Sequence, residues 1–216
     1  MDQRTPEWFD ARAGRITASR MCDVMAFSPE GVYLSGKRKG QPKIVRPLLA
    51  RTNYARQIAT ERYTRLVKSQ VKAAALAWGT EIEPEAVSAY EVARGVLVEA
   101  AGFMVHPAYD FIGASPDFLV GDDGGGEIKC PFARETHMDT LLDGLPQEHI
   151  EQIQGGLWVT NRKWWDFVSY QPDFPEATRI YIQRVERDDT YIAKLADACI
   201  SLESEVQAIL ERLENV

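Results

Sequence analysis

The chain has 216 residues, of which 45% are hydrophobic and 26% charged, and a formal net charge of -7. This composition is typical of one globular domain with a buried core and excludes a disordered chain. No apolar run approaches the roughly 18 residues of a membrane span, and the first residues lack the apolar stretch of a secretory signal. Cys22, Cys130 and Cys199 are too few for a four-cysteine zinc or iron–sulfur site. We therefore expect a cytoplasmic protein with reduced thiols and no membrane association.

Charge is distributed unevenly along the chain. Residues 1–70 hold 14 Lys and Arg against 6 Asp and Glu, whereas residues 71–216 hold 11 against 26. A basic surface can follow a polyanion even on an acidic protein, because phosphate contacts are local and are screened within about 10 Å. The asymmetry favours such a surface, although a solvated helix face rich in arginine gives the same count.

The N-terminal part of the chain predicts helices separated by a basic loop. Residues 5–26 predict a helix, a break around Gly14 and a second helix that begins near Thr17 or Ser19. Residues 28–47 are rich in Gly, Pro, Lys and Arg, which is typical of a loop.

The rest of the chain predicts two helices, then a sheet with interspersed helices, then a last helix. Apolar periodicity and alternation assign helices to 48–68, 72–94, 134–143, 146–160 and 189–214, and strands to 96–107, 110–121, 125–132, 163–172 and 177–187. We expect an α/β (α+β) fold with a central mixed β-sheet flanked by helices. It forms a single domain, with a basic helical segment at about 1–70, a core at about 71–190 and the C-terminal helix.

Asp117, Glu127 and Lys129 form a candidate metal site. The stretch GASPDFLVGDDGGGEIKCPF, residues 113–132, places Asp117 near the end of one strand and Glu127 early in the next, across a glycine-rich turn. Side chains two residues apart on a strand share a face, so Glu127 and Lys129 project together while Ile128 points into the core. If the hairpin crosses the sheet centre, the two carboxylates meet at one point.

Two adjacent carboxylates repel each other, and a divalent cation removes this cost. Oxygen ligands suit Mg²⁺ or Mn²⁺, with the Ile128 carbonyl as a further ligand. Lys129 beside the metal can orient or help deprotonate the attacking water and offset the charge on phosphorus. The alternative is an ordinary half-exposed strand, in which Glu and Lys flank a core Ile and no metal is bound. We expect Asp122 and Asp123 to be solvated turn residues and not metal ligands.

Helical carboxylate and amide side chains form a second group of candidates. Glu83 follows the apolar stripe of its helix by one residue and can lean into the site as a third carboxylate. Gln152 and Gln154 precede a Gly-Gly pair, and a neutral amide can donate to phosphate without competing for metal. The alternative to a functional site is that Glu83 is simply solvated and that Gln152 and Gln154 are ordinary polar positions of a helix.

Arg12, Arg15 and Ser19 cluster around the Gly14 break, close to a predicted helix start. Helix N-termini and arginine forks both favour phosphate oxygens. The cluster predicts a phosphate site, and a capped helix with solvent-facing arginines is the alternative.

In this order, the segments EWFDARAGRITAS, ALAWGTEIEPEA, SPDFLVGDDGGGEIKCPF and QIQGGLWV resemble the lambda-type alkaline exonucleases. These YqaJ-like viral recombinases belong to the PD-(D/E)XK nuclease superfamily, which has a restriction-endonuclease-like core. The resemblance runs from about residue 7 to residue 190. The loop at 28–47, Arg134 and the C-terminal helix depart from the family pattern.

The resemblance implies functions for individual residues. Asp117, Glu127 and the Ile128 carbonyl would bind two Mg²⁺ ions, or Mn²⁺, with Glu83 at the second ion and Lys129 as the catalytic lysine. The pocket for a DNA 5′-phosphate would contain four polar residues, namely Arg12, Ser19, Ser115 and Gln154.

The resemblance also implies the activity. We expect a 5′→3′ exonuclease that degrades one strand of double-stranded DNA from its ends and leaves 3′ overhangs for phage-type recombination. A homotrimeric ring and a phage single-strand annealing protein as partner are implied as well, in a bacterial host or from a prophage. The alternatives are a restriction-like endonuclease, another PD-(D/E)XK repair nuclease and a non-catalytic DNA-end-binding module.

Overall fold

The computed structural model describes residues 3–66 and 74–215. Thr5 begins the first helix, since its side chain accepts a hydrogen bond from the Trp8 backbone N–H at 3.3 Å and Pro6 occupies the first turn. Asp188 caps the last helix in the same way, through the N–H groups of Thr190 and Tyr191. The α-helices are α1 (Pro6–Arg12), α2 (Met21–Val24), α3 (Leu49–Thr64), α4 (Ala74–Arg94), α5 (Arg134–Asp143), α6 (Ile150–Thr160) and α7 (Asp189–Glu214).

The strands form two sheets, both of mixed direction. The strands are β1 (Ile16–Thr17), β2 (Met104–Val105), β3 (Ile112–Ala114), β4 (Phe118–Val120), β5 (Gly124–Lys129), β6 (Trp164–Tyr170) and β7 (Ile180–Glu186). The first sheet has the order β1-β3-β2, and the second has the order β4-β5-β6-β7. In the second sheet only the β5–β6 pair is parallel, and α5 and α6 form the connection between these strands.

The predicted fold class is confirmed, but several predicted elements differ. The stretch 110–121 gives two strands, because Ser115 and Pro116 separate β3 from β4 and proline has no N–H for a ladder. The second N-terminal helical segment starts with a 3₁₀ helix at Ala18–Arg20, whose N-cap is Thr17 as predicted, and α2 follows it directly at Met21. The helix predicted at 48–68 ends at Thr64, and residues 67–73 lie outside the described residues.

The strand predicted at 96–107 is reduced to β2. Val96 and Val98 pack against the core as an irregular segment. Glu99 makes one isolated antiparallel bridge to Leu119. Met104 and Val105 form a continuous ladder with β3, whereas the bridge of Glu99 to β4 is not extended by its neighbours.

Two apolar clusters make up the core. The larger lies among α2, α3, α6, α7 and the first sheet, and the smaller joins α4 to the second sheet. Gly155 and Gly156 let α6 approach closely, since an added Cβ would lie 2.1 Å from the Met21 sulfur and 3.1 Å from the Trp165 ring, respectively. Within the described residues, no helix is both long and apolar enough to cross a membrane.

Candidate active site

The β4–β5 hairpin brings the two predicted carboxylates together. Asp117 immediately precedes β4, and its backbone N–H donates to the Gly126 carbonyl at 3.2 Å. Its side-chain Oδ2 accepts a hydrogen bond from the Ile128 N–H at 2.7 Å. Asp117 therefore lies beside the part of β5 that carries Glu127, as the hairpin hypothesis requires.

Glu127 and Lys129 share one face of β5. Lys129 Nζ donates to Glu127 Oε1 at 2.6 Å and to Gln152 Oε1 at 3.2 Å. Ile128 points the other way and belongs to the buried core. Glu127 is itself buried, so the ion pair with Lys129 compensates its charge away from water.

Glu83 lies on α4 and contributes a third negative charge. Its Oε2 forms an ion pair with Arg4 Nη2 at 2.5 Å. Of the turn aspartates, Asp123 pairs with Lys163 on the surface at 2.8 Å, and both are exposed. Asp122 is exposed as well.

The closeness of three acidic side chains shifts the pKa values in the site. Burial raises the pKa of Asp117 well above its ordinary value, and the charges of Glu127 and Glu83 raise it further. For Lys129, burial lowers the pKa, but the neighbouring carboxylates outweigh this effect and the pKa is raised. The site therefore favours the protonated forms of both Asp117 and Lys129.

The donor set fits a hard divalent cation. Among residues 3–66 and 74–215, no three His, Cys, Asp or Glu side chains are arranged as a ready metal cluster. Asp117, Glu127 and Glu83 hydrogen-bond instead to the Ile128 N–H, Lys129 and Arg4. Their mutual repulsion at Asp117 is the cost that a divalent cation with oxygen ligands relieves.

A narrow pocket adjoins the carboxylates and contains Arg12. Arg12 Nη1 donates to Ser115 Oγ at 2.9 Å, and Nη2 donates to Ser19 Oγ at 3.2 Å. Burial lowers the pKa of Arg12, although a guanidinium remains charged in proteins. The pocket is lined by Arg12, Ala18, Ser19, Ala114, Ser115, Pro116, Glu127, Gln152, Gly156 and Trp165.

The structure does not bring Gln154 into this pocket. Its side chain is 3% exposed. Nε2 donates to the Glu186 carbonyl at 2.9 Å, and Oε1 accepts from the Asp188 N–H at 3.0 Å. Both ends of the amide thus tie α6 to the β7–α7 connection. Gln152 lines the pocket and contacts Lys129.

Trp8 contacts the pocket residues Ser115 and Arg12, and it was not among the predicted site residues. Its indole N–H donates to Ser115 Oγ at 2.9 Å, and the Arg12 guanidinium lies 4.2 Å from its ring centroid. The sequence spacing could have indicated this contact, because Trp8 and Arg12 are four residues apart on α1 and therefore lie on the same face of the helix. Arg15 has another function, since it donates to the backbone carbonyls of Ala11 and Asp110.

Comparisons with known proteins agree with this fold. Residues 7–163 match the YqaJ-like viral recombinase domain family. An uncharacterized protein of Acanthamoeba polyphaga mimivirus is 32% identical over 108 residues, which cover 44% of the chain and 20% of that protein. The chain thus spans about a fifth of the length of this curated relative.

Among solved structures, the alkaline exonuclease LHK-Exo from Laribacter hongkongensis is 37% identical, with a TM-score of 0.82 and coverage of 98% of this chain and 97% of that chain. A complex of LHK-Exo with dAMP matches with a TM-score of 0.83 and 36% identity, over 98% of this chain and 97% of that one. A phage-related exonuclease from Haemophilus somnus shares the fold at 15% identity, with a TM-score of 0.66 and coverage of 92% and 96%. The chain therefore belongs to the YqaJ-like viral recombinase family and has the PD-(D/E)XK fold of an alkaline exonuclease.

Proposed function

We propose that this protein is a Mg²⁺-dependent exonuclease that degrades one strand of double-stranded DNA from 5′-phosphorylated ends. It would act in the 5′→3′ direction, release mononucleotides and leave 3′ overhangs for recombination by single-strand annealing. One observation carries the proposal. The Arg12–Ser115 pocket shares its walls with the carboxylate–lysine site, since Glu127 and Gln152 line both. LHK-Exo, a relative of similar length, is an alkaline exonuclease with a known dAMP complex.

The shared walls explain how the enzyme would measure one nucleotide. A terminal 5′-phosphate can receive hydrogen bonds from Arg12 and the hydroxyls of Ser19 and Ser115, which already surround the guanidinium. A strand held at that end would place its first phosphodiester beside Glu127 and Asp117. The pocket would therefore set the register of each cut.

The chain's own residues would divide the chemistry between them. Asp117, Glu127, the Ile128 carbonyl and Glu83 would hold Mg²⁺ or Mn²⁺, with two ions in the site. These ions would supply an activated water and neutralise charge on the phosphate. Without metal, the carboxylates outweigh burial and raise the pKa of Lys129. In its protonated form Lys129 would donate a hydrogen bond to the water or the phosphate oxygen.

The test is digestion of linear and closed circular duplex DNA, labelled at the 5′ or the 3′ end, with Mg²⁺ or with EDTA. We expect Mg²⁺-dependent release of the 5′ label as a mononucleotide, and no cutting of the closed circle. Asp117→Ala and Lys129→Ala should abolish digestion while thermal melting shows an intact fold. Cutting of the circle would favour an endonuclease, and binding of ends without hydrolysis would favour a DNA-end-binding module.

Because the chain belongs to this family, we extend the proposal to its oligomeric state, its location in the cell and its partner protein. The enzyme would be a single nuclease domain that assembles as a homotrimeric ring around DNA. It would work in the cytoplasm of a bacterial host with a phage or prophage annealing protein. Sedimentation equilibrium of the purified protein tests the trimer, and a monomeric mass at micromolar concentration would contradict it.

A further inference from the structure

The segment before α1 lies against the active site. The Gln3 side-chain amide donates to the Pro116 carbonyl at 2.7 Å and to the Ala101 carbonyl at 3.2 Å. Pro116 immediately precedes Asp117. We call residues 3–5 the N-terminal strap. Gln3 fastens the strap to the loop that positions the first carboxylate.

Arg4 connects the strap to the opposite wall of the site. Its guanidinium pairs with Glu83 Oε2 on α4, with the Glu83 side chain 24% exposed and that of Arg4 44% exposed. The backbone φ of Arg4 is 67°, a left-handed conformation that is unfavourable for a residue with a Cβ. Such conformations persist where neighbouring contacts enforce them, as Gln3 and the Thr5 cap of α1 do here.

We propose that Arg4 is a positioning residue for Glu83 and competes with the divalent cation for this carboxylate. The inference rests on the proposed function, which assigns Glu83 to the metal site. A cation at Glu83 competes with the guanidinium, because both are attracted by the charge of the same carboxylate and Arg4 already lies at its Oε2. The N-terminal strap therefore lowers the affinity of the site for metal. Since the strap leads directly into α1, it also joins the metal site to the helix that carries Trp8 and Arg12.

The experiment measures Mn²⁺ binding to the full chain without DNA, by the electron paramagnetic resonance signal of free Mn²⁺. We expect Arg4→Gln to lower the Kd for Mn²⁺ about two- to fivefold, the range expected from breaking a partly exposed ion pair. In an E83Q background, Arg4→Gln should have no effect, because the carboxylate charge for which Arg4 and the cation compete is gone. Simple loss of fold would not give this dependence on Glu83.

Lys163→Gln is the matched control, because it removes the same charge from an ion pair on the β4–β5 turn. It should leave the Kd unchanged. A Kd that is equal or higher in Arg4→Gln, or a decrease that survives in the E83Q background, overturns the proposal for Arg4. If Asp117→Asn still loses Mn²⁺ in that case, the proposed metal site stands. If Asp117→Asn binds Mn²⁺ as tightly as the wild type, the metal site fails and the proposal for Arg4 fails with it.

Discussion

Gln152 and Gln154 lie two residues apart on α6, yet they have opposite surroundings. Positions two apart on a helix point about 200° away from each other, so one amide faces the site and the other faces the packing interface. Gln152 contacts Lys129 and lines the Arg12 pocket. Gln154 bridges α6 to the backbone of Glu186 and Asp188.

Substitution of the two glutamines should therefore separate function from stability. Gln152→Ala should reduce the preference for 5′-phosphorylated over 5′-hydroxyl ends while stability changes by less than about 0.5 kcal/mol. Gln154→Ala should keep the preference but lower the free energy of unfolding by about 1–3 kcal/mol, because the buried amide is lost and with it the hydrogen bonds to the Glu186 carbonyl and the Asp188 N–H. Initial digestion rates on the two kinds of end and urea denaturation give the two quantities, and equal behaviour of the variants would contradict the assignment.

The sequence predicted the residue types of the site better than their positions. Asp117, Glu127 and Lys129 meet because their spacing across a hairpin and along one strand face is a property of local geometry. The choice between Gln152 and Gln154 depends on which side of α6 faces the sheet. That side is set by Gly155 and Gly156, whose close contacts with Met21 and Trp165 are long-range in sequence.

At the scale of elements, the glycines of the hairpin form strand rather than turn. Gly124, Gly125 and Gly126 begin β5, and a Cβ added at Gly126 would lie 1.9 Å from the Phe118 ring. The predicted strand 125–132 already contained Gly125 and Gly126, and β5 begins one residue earlier, but the sequence did not show the aromatic ring across the ladder. The missing side chains make room for Phe118, Trp164 and Trp165 beside the site.

Gly126→Ala should therefore lower the free energy of unfolding by about 1–3 kcal/mol, the usual cost of overpacking. Gly79→Ala is the control, since a Cβ there meets nothing within 4 Å and the position is helical. The control should stabilise the protein by about 0.5–1 kcal/mol through helix propensity. Urea denaturation of both variants measures the two changes, and a neutral Gly126→Ala would show that β5 moves away freely from Phe118.

Helix α4 is anchored to the second sheet by a buried carboxylate on β6. Asp166 is fully buried and accepts hydrogen bonds from Tyr90 at 2.8 Å and from Arg184 at 2.9 and 3.0 Å. Arg94 lies 3.3 Å away, and its charge adds to that of Arg184. This network fixes the C-terminal half of the helix that carries Glu83.

Asp166→Ala should cost about 1–3 kcal/mol of unfolding free energy, because the buried Tyr90 hydroxyl loses its hydrogen-bond partner, whereas Arg94 and Arg184 are more than a third exposed and water solvates their charges. Asp123→Ala, which breaks the exposed pair with Lys163, should cost less than about 1 kcal/mol. Thermal and urea unfolding of the two variants compare them directly. Similar small losses would mean that solvent replaces the contacts of Asp166.

At the scale of the whole molecule, the fold class could be predicted from the sequence, whereas the pairing of all the strands could not. Alternating apolar residues located β6 and β7 because both strands pair along their whole length. The segment at 96–107 has the same apolar character, yet it forms only β2, since partner strands are not visible in local sequence. The cluster of polar residues around Gly14 indicated Arg12, but pairs such as Arg4 with Glu83 join parts of the chain that are distant in sequence.

The free energy of unfolding of the metal-free protein should depend on pH through Asp117 and His149, whose pKa values are shifted in opposite directions. Burial and the neighbouring acids raise the pKa of Asp117. Its contribution to the free energy of unfolding is therefore full below about pH 4, the ordinary pKa of aspartate, and is lost as pH rises through the raised pKa. Burial, followed by the charge of Lys129, lowers the pKa of His149 to about 4. Its contribution is therefore full above about pH 6.5 and is lost as pH falls towards the lowered value.

Urea unfolding in EDTA, from about pH 4.5 to about pH 8.5, should separate these two contributions when one variant of each residue is compared with the wild type, because the two pH windows overlap but the contributions change in opposite directions with pH. Asp117→Asn should gain stability over the wild type as pH rises, since it carries no charge to bury. His149→Gln should lose less stability than the wild type as pH falls below about 6.5. Added Mg²⁺ should erase the advantage of Asp117→Asn, because the cation compensates the ionised carboxylate. A difference between wild type and Asp117→Asn that stays constant across this range would show that Asp117 keeps an ordinary pKa.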